Sequence, residues 1–340
     1  MSADGILSTI SSFRLGDVRL RSGAALPDAE LVYATYGRLN RSADNCVLLP
    51  TYYTGTHDSY RPWIGPGKAI DPDRFFIVIP NLFGNGLSTS PSHGLGAAFP
   101  DVSVHDNVVC QHRLLTEVLG VRRIALAAGW SLGAVQSHYW AAAFPDMVGS
   151  LLALCGAARC WPLNKIFLAG VRAALQADPV FADGLYRDPP VTGLRAFGRV
   201  YAGWAYSAAF FRDELYRQLG AKSLEAFLEA WEAEHEAWDA NDLLAMLRTW
   251  LDADVGDVPG CSGDFRRALA RTKARAVLMP CDRDAYFTVE ENAIEAACMP
   301  DVELLPLSSP YGHCAGAPGR FPAETTLIVQ QIRRLLGQST

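Results

Sequence analysis

The stretch Ile124 to Ala143, IALAAGWSLGAVQSHYWAAA, decides the fold. Its first five residues form a short apolar run of the kind a fully buried strand carries. Gly129-Trp130-Ser131-Leu132-Gly133 follows, and the alanine-rich segment after it reads as a helix. Strand, G-x-S-x-G, helix is a turn sharp enough to hold its central serine in a strained conformation. Gly129 and Gly133 lack a Cβ, so strand and helix approach without collision. The Ser131 hydroxyl is then lifted to a helix N-terminus, where free backbone N–H groups and the dipole favour developing negative charge.

Around this stretch the chain alternates strand and helix. Buried strands are expected at Cys46 to Thr51, Phe75 to Pro80, Val148 to Leu154, Ala276 to Pro280 and Val302 to Leu307. Glu30 to Gly37 reads as a further strand, and Phe13 to Leu20 as two short strands in a hairpin around Gly16-Asp17. Ser103 and Asp106 have capping-box spacing and open a helix that should stop at Gly120. Pro322 to Leu336 is a closing amphipathic helix, with Leu327, Ile328, Ile332, Leu335 and Leu336 as its apolar residues. The pattern predicts an α/β fold with a mostly parallel sheet and helices on both faces.

From about Ala158 to Phe265 no strand of buried type occurs. Leu224, Phe227, Leu228, Trp231 and Trp238 recur at helical spacing, and eleven acidic residues between Asp213 and Asp254 face Arg217, Lys222 and Arg248. The expected organisation is therefore a core of residues 1–157 and 266–340, with an all-helical insertion over 158–265. The acidic exterior of the insertion reads as a solvated face.

Composition narrows the function. Half of the 340 residues are apolar, 19% are charged, and the net charge is −6. That is globular and offers no electrostatic pull on nucleic acid or an anionic membrane. No run of 18 apolar residues predicts a membrane-spanning helix. The N-terminus MSADGILSTISSF has neither the basic nor the apolar region of a signal peptide. Eight scattered cysteines form no C-x-x-C pair and no zinc-like spacing with histidine. They read as buried small hydrophobes in a reducing cytoplasm, and no metal or organic cofactor is implied.

A serine hydroxyl needs an adjacent base, and the base needs an orienting carboxylate. In this architecture they follow in the order Ser, Asp or Glu, His, each on a loop after a later strand. Of seven histidines, His313 alone lies after the last strand. His138 should point into the body of the protein, and His235, among acidic residues, reads as a surface ion pair. Asp282 and Asp284 both follow the strand ending at Pro280, and Asp284 has the better reach; the other would pair with Arg283 or cap a turn. Backbone N–H groups for an oxyanion are expected from Leu132 and from Tyr53, with Thr54 next. Tyr52 and Trp130 suggest an aromatic pocket wall, with packing as the alternative.

The chain resembles the α/β-hydrolase superfamily, and within it the homoserine O-acetyltransferase branch. The resemblance is carried by LVYATYGRLN, NLFGNGLSTSPS, GWSLGAVQ with AAAFPDMV, RAALQADPVFADGLY, and MPCDRDAYFT with YGHCAG. It implies Ser131 as nucleophile, Asp284 as acid and His313 as base. It further implies that the helical insertion is a lid roofing a tunnel and carrying a homodimer contact. The sequence departs from the acetyltransferase pattern, GGSMGG and GHDAF, at Trp130, Ala134 and Cys314. Homoserine is accordingly not carried over as acceptor.

The expected activity is that of a serine-dependent, esterase-like acyl hydrolase acting on a small-molecule ester. The alternative is an O-acyltransferase using acyl-CoA, and a third reading is a non-catalytic binding protein on this fold. A transferase would need cations for the CoA phosphates, and Arg159, Arg172, Arg195 and Arg199 are the candidates.

Overall fold

The computed structural model describes residues 8–338. Residues 1–7, on which part of the signal-peptide reading rests, and 339–340 lie outside them. Eight strands build one sheet: β1 (Thr9–Arg19), β2 (Ala25–Tyr36), β3 (Cys46–Leu48), β4 (Phe76–Pro80), β5 (Ile124–Trp130), β6 (Ser150–Leu154), β7 (Arg275–Met279) and β8 (Val302–Leu304). Their order is β1-β2-β4-β3-β5-β6-β7-β8. The β1/β2 and β2/β4 pairs are antiparallel and the rest are parallel. Strands β3, β4 and β6 are buried at every position, as unbroken apolar runs covered on both faces require.

The expected N-terminal hairpin is not there. Thr9–Arg19 is one long strand paired along β2, with register shifts around Gly16, whose φ is 68°. The Gly-Asp pair looks like a turn in sequence. It is a bulge instead, because β2 starts at Ala25 and supplies enough backbone to pair past it.

Helix α1 (Val104–Arg113) has the expected capping box. The Ser103 side chain accepts from the Asp106 N–H, and the Asp106 carboxylate accepts from the Ser103 N–H. A π-turn over Leu114–Val118 prolongs it towards Gly120. Helix α2 (Leu132–Ala143) follows β5 and is buried over nearly its whole length. Between β6 and β7 the chain contributes helices and no strand to the sheet: α3 (Pro162–Gln176), α4 (Val191–Ala205), α5 (Ala208–Arg212), α6 (Leu224–Glu236), α7 (Ala240–Leu251) and α8 (Phe265–Leu269). Helix α9 (Val289–Ala296) precedes β8, and α10 (Pro322–Leu335) closes the chain. Ile328, Ile332 and Leu335 of α10 are buried, but Leu327 is exposed, on the solvent side of the 3.6-residue period. Among the described residues no helix is long and apolar enough to cross a membrane.

The acidic face of α6 is not merely solvated. Arg199 of α4 pairs with Glu225 and Glu232, and Arg195 with Glu236. Exposed pairs of this kind are screened by solvent and contribute little to stability by themselves, so their value is in registering α4 against α6. Burial does the larger share. Phe167, Phe197, Phe210 and Trp250 are fully buried within the helical stretch, each contributing roughly 1.5–3 kcal/mol or more.

One buried carboxyl group ties the start of this stretch to α9. Glu295 of α9 accepts from the Ala158 N–H and from Trp161 Nε1–H, both at 2.8 Å. It is fully buried, and burial raises its carboxyl from the ordinary 4.5 to about 8, against the opposing effect of those two donors. The folded protein therefore holds a proton that the unfolded chain releases, and the stability this proton confers is lost as pH rises through about 8. Denaturant unfolding of wild type and Glu295→Gln between about pH 5 and about pH 9 should show the variant losing less stability across that window. Parallel slopes in the two proteins would contradict this assignment.

Candidate active site

The site begins where β5 ends. Ser131 has φ 58° and ψ −127°, a conformation strained for a residue with a Cβ. The neighbouring backbone fixes it. Its N–H donates to the Leu154 carbonyl at the end of β6 (2.9 Å), and its carbonyl accepts from Ala134 N–H and Val135 N–H in the first turn of α2. A Cβ at Gly129 would stand 2.2 Å from the Gly133 carbonyl carbon, and one at Gly133 would stand 2.5 Å from the Pro50 oxygen. Strand and helix thus meet backbone to backbone. Tyr60, absent from the sequence reading, braces the turn: its hydroxyl donates to the Pro50 carbonyl (2.9 Å) and accepts from the Trp130 N–H (3.3 Å).

His313 lies in a short 3₁₀ turn, Gly312–Gly316, on the loop after β8. Its Nε2 is 2.9 Å from Ser131 Oγ, and its Nδ1 is 2.8 Å from Asp284 Oδ2. The other Asp284 oxygen accepts from the Tyr286 and Phe287 N–H groups, both at 3.1 Å. A carboxylate accepts hydrogen bonds, so Nδ1 carries the proton and Nε2 presents its lone pair to the serine hydroxyl. All three side chains are buried. Asp282 takes the turn-capping role instead: it accepts from Ser309 N–H (3.1 Å) and Ser308 Oγ–H (2.9 Å), holding the start of the histidine loop.

Aromatic rings seat the imidazole. Trp130 stacks on it at 5.1 Å and 28°, while Tyr286 and Phe287 lie at 4.5 and 5.6 Å. Trp130 Nε1–H also donates to the His313 carbonyl at 3.1 Å. Tyr52 meets Trp130 edge-on at 4.5 Å. Both therefore pack and line the pocket at once.

A cavity of about 300 Å³ opens above Ser131. Tyr52, Tyr53, Thr54, Trp130, His313 and Cys314 line its floor, and Tyr201, Trp231, Glu234 and His235 of the helical stretch form the roof, with Arg320 also on the wall. Tyr53 stacks on Tyr201 at 5.9 Å and donates its hydroxyl to the Leu243 carbonyl. The Tyr53, Thr54 and Leu132 N–H groups have no hydrogen-bond partner among the described residues. Burial pushes the Cys314 thiol up to about 11, so it remains a protonated, weakly polar wall.

His235 corrects the sequence reading. It is not a surface ion pair but a buried ring beside the cavity. The flanking glutamates suggested a wet face, but the helical period turns position 235 inward. The resemblance implied a roof, but the residues that line it were invisible in sequence, since nothing in a helical pattern says which face meets a distant loop. His138 is fully buried on α2, as expected, and burial lowers its pKa to about 4. Among the described residues no group of three or more His, Cys, Asp or Glu side chains is placed to hold a metal ion.

Comparison with known proteins fits this geometry. Residues 47–251 match the alpha/beta hydrolase fold family. The chain belongs to that family. It is 36% identical to an ethyl acetate hydrolase of Pseudomonas veronii, over 93% of this chain and 91% of that enzyme. The crystal structure of an acetylester hydrolase from Corynebacterium glutamicum superposes with a TM-score of 0.92 at 32% identity, covering 97% of this chain and 96% of the other. A homoserine O-acetyltransferase of Symbiobacterium thermophilum is 33% identical over 93% of this chain and 91% of its own length.

The contacts at the turn generate a stability prediction. Gly133→Ala must displace both the Pro50 carbonyl and the Tyr60 hydroxyl and should cost at least ~2 kcal/mol. Gly170→Ala, where nothing lies within 4 Å of the added carbon, should be neutral or slightly stabilising. Denaturant midpoints of the two variants would check the contrast.

Proposed function

We propose that this protein is a serine-dependent esterase that cleaves small acyl esters through an acyl-enzyme on Ser131. The observation that carries the reading is the unbroken hydrogen-bonded chain Ser131–His313–Asp284 at the floor of a cavity. The relatives named for ethyl acetate and acetyl esters support an acetyl or similarly short acyl group. Such a group also suits a cavity of about 300 Å³.

The proposed steps follow from the tautomer. His313 Nε2 takes the Ser131 proton as Oγ attacks the acyl carbonyl carbon. Asp284, with both oxygens already held, keeps the ring oriented and stabilises the imidazolium. The carbonyl oxygen becomes an oxyanion. The buried, unspent N–H groups of Leu132 and Tyr53 are the proposed donors, Leu132 at the N-terminus of α2 where the helix dipole adds to its effect. His313 then gives the proton to the leaving alkoxide, and the alcohol departs. Water attacks the acyl-enzyme with His313 again as base, releasing the acid and restoring Ser131. The reading assigns no role to a metal or cofactor.

The alternative is passage of the acyl group from CoA to an alcohol, which the acetyltransferase relatives keep in view. Three of the four arginines available for CoA phosphates are engaged otherwise: Arg159 pairs with Asp254, Arg195 with Glu236, and Arg199 with Glu225 and Glu232. That favours water as acceptor. We further propose that the stretch 158–265 acts as the lid and that a homodimer forms through it. Its exposed Leu163, Ile166 and Leu185 would be the side chains such a contact covers, and sedimentation would report the dimer. Eight free thiols suit a reducing cytoplasm.

Ser131→Ala should lower ester turnover by several orders of magnitude with unchanged circular dichroism. Asp284→Asn should cost about 10³–10⁴-fold in kcat, whereas Asp282→Asn, which loosens a loop, should cost far less. The reverse ranking would remove Asp284 from its role. Acyl-enzyme formed from an activated acetate ester should decay rapidly in plain buffer. Decay that waits for an added alcohol, yielding an O-acetyl product, would establish the transferase.

A further inference from the structure

The roof of the cavity contains a polar group that the proposed reaction does not use. The His235 ring is held on three sides by Phe197, Tyr201 and Trp231, with centroids at 5.4, 5.7 and 5.7 Å. Its Nδ1 lies 2.8 Å from the Trp231 carbonyl oxygen. A carbonyl only accepts, so Nδ1 bears the hydrogen and Nε2 is a bare sp² lone pair. That nitrogen has no partner among the described residues, and it is not among the sealed, unsatisfied buried atoms. The residue is 4% exposed and lines the cavity above Ser131. Gly198 makes the placement possible: a Cβ there would stand 2.5 Å from the Trp231 carbonyl and 3.0 Å from His235 Nδ1. Helix α6 therefore seats against α4 with this ring and carbonyl between them.

A lone pair on a ring that is fixed by its own helix and lines a cavity is a hydrogen-bond acceptor awaiting a donor. Burial lowers the pKa of His235 below its ordinary value, so the ring stays neutral and keeps that role at neutral pH. Trp231 of α6 and Arg320 also bring N–H donors to the cavity wall, but among the described residues neither bonds His235 Nε2.

We propose that His235 is a specificity-determining residue that accepts a hydrogen bond from a hydroxyl carried by the substrate away from its reacting carbonyl, so that the enzyme selects hydroxylated esters over alkyl esters of the same size. The proposal rests on the esterase reading of the Ser131 site. An apolar ester leaves the His235 acceptor facing a desolvated methyl or methylene group. A hydroxyl at that point restores a hydrogen bond, and an aligned bond in a dry pocket corresponds to roughly a tenfold preference.

Matched pairs test it: hydroxyethyl acetate against propyl acetate for the alcohol side, and ethyl glycolate against ethyl propionate for the acyl side. Wild type should favour the hydroxylated member of at least one pair by about tenfold in kcat/KM. His235→Phe should erase that ratio, and His235→Gln, whose amide oxygen accepts, should restore part of it. Equal kcat/KM within both pairs for wild type overturns the proposal, as does a His235→Phe variant that lowers both members of the favoured pair alike. The hydroxyl also activates its own ester, so each enzymatic ratio is divided by the ratio for alkaline hydrolysis of the same pair, and a wild-type preference no larger than that intrinsic one overturns the proposal even where a variant fails to fold. Ser131→Ala serves as the separate control: turnover that survives it sinks the esterase reading, whereas Ser131-dependent turnover without hydroxyl preference sinks the role of His235.

Discussion

The backbone-to-backbone contact between the end of β5 and the first turn of α2 is the constraint on which the rest depends. Two missing Cβ atoms, at Gly129 and Gly133, let the chain reverse within the space of a few residues. The reversal forces positive φ on Ser131 and leaves the next N–H, that of Leu132, at the open end of a helix. The proposed nucleophile and one proposed oxyanion donor therefore come from one turn. The strain in that turn is balanced by hydrogen bonds to β6 and α2, and by the Tyr60 hydroxyl beneath it.

The imidazole depends on a different kind of support. It reaches Ser131 across 182 residues of sequence separation, and no local propensity could hold it there. Parallel β6, β7 and β8 bring their C-terminal loops to the same edge of the sheet as the elbow. Asp284 fixes one face of the ring chemically, while Trp130, Tyr286 and Phe287 fix it sterically. Trp130, next to Ser131 in the chain, thus also holds His313, through its ring and through Nε1–H. A glycine at that position would supply neither. This gives a physical meaning to one of the places where the chain departs from the acetyltransferase motif.

The helical stretch completes the site from above. Arg195 and Arg199 are spent in registering α4 against α6, and most of its large aromatic residues fill its own interior. What it offers the cavity is a mixed wall of rings and a few polar atoms. On the proposed reading, floor and roof divide the work: the floor carries the groups for reaction, and the roof carries one for selection.

Much of this was written in the sequence. G-x-S-x-G between an apolar run and an alanine-rich helix determines the elbow, because the sterics are local. The order Ser131, Asp284, His313 determines which loops must converge, because strand succession in a parallel sheet leaves few alternatives. Other features were decided by tertiary structure. Whether Gly16 turns or bulges depends on how far β2 extends beside it. Which carboxylate meets the histidine depends on where Ser308 and Ser309 pass, since they occupy Asp282 and leave Asp284 free. The inward face of α6, and with it His235, depends on contact with α4 through Gly198. Sequence records what a segment prefers by itself; it does not record which distant surface will arrive to bury one of its faces.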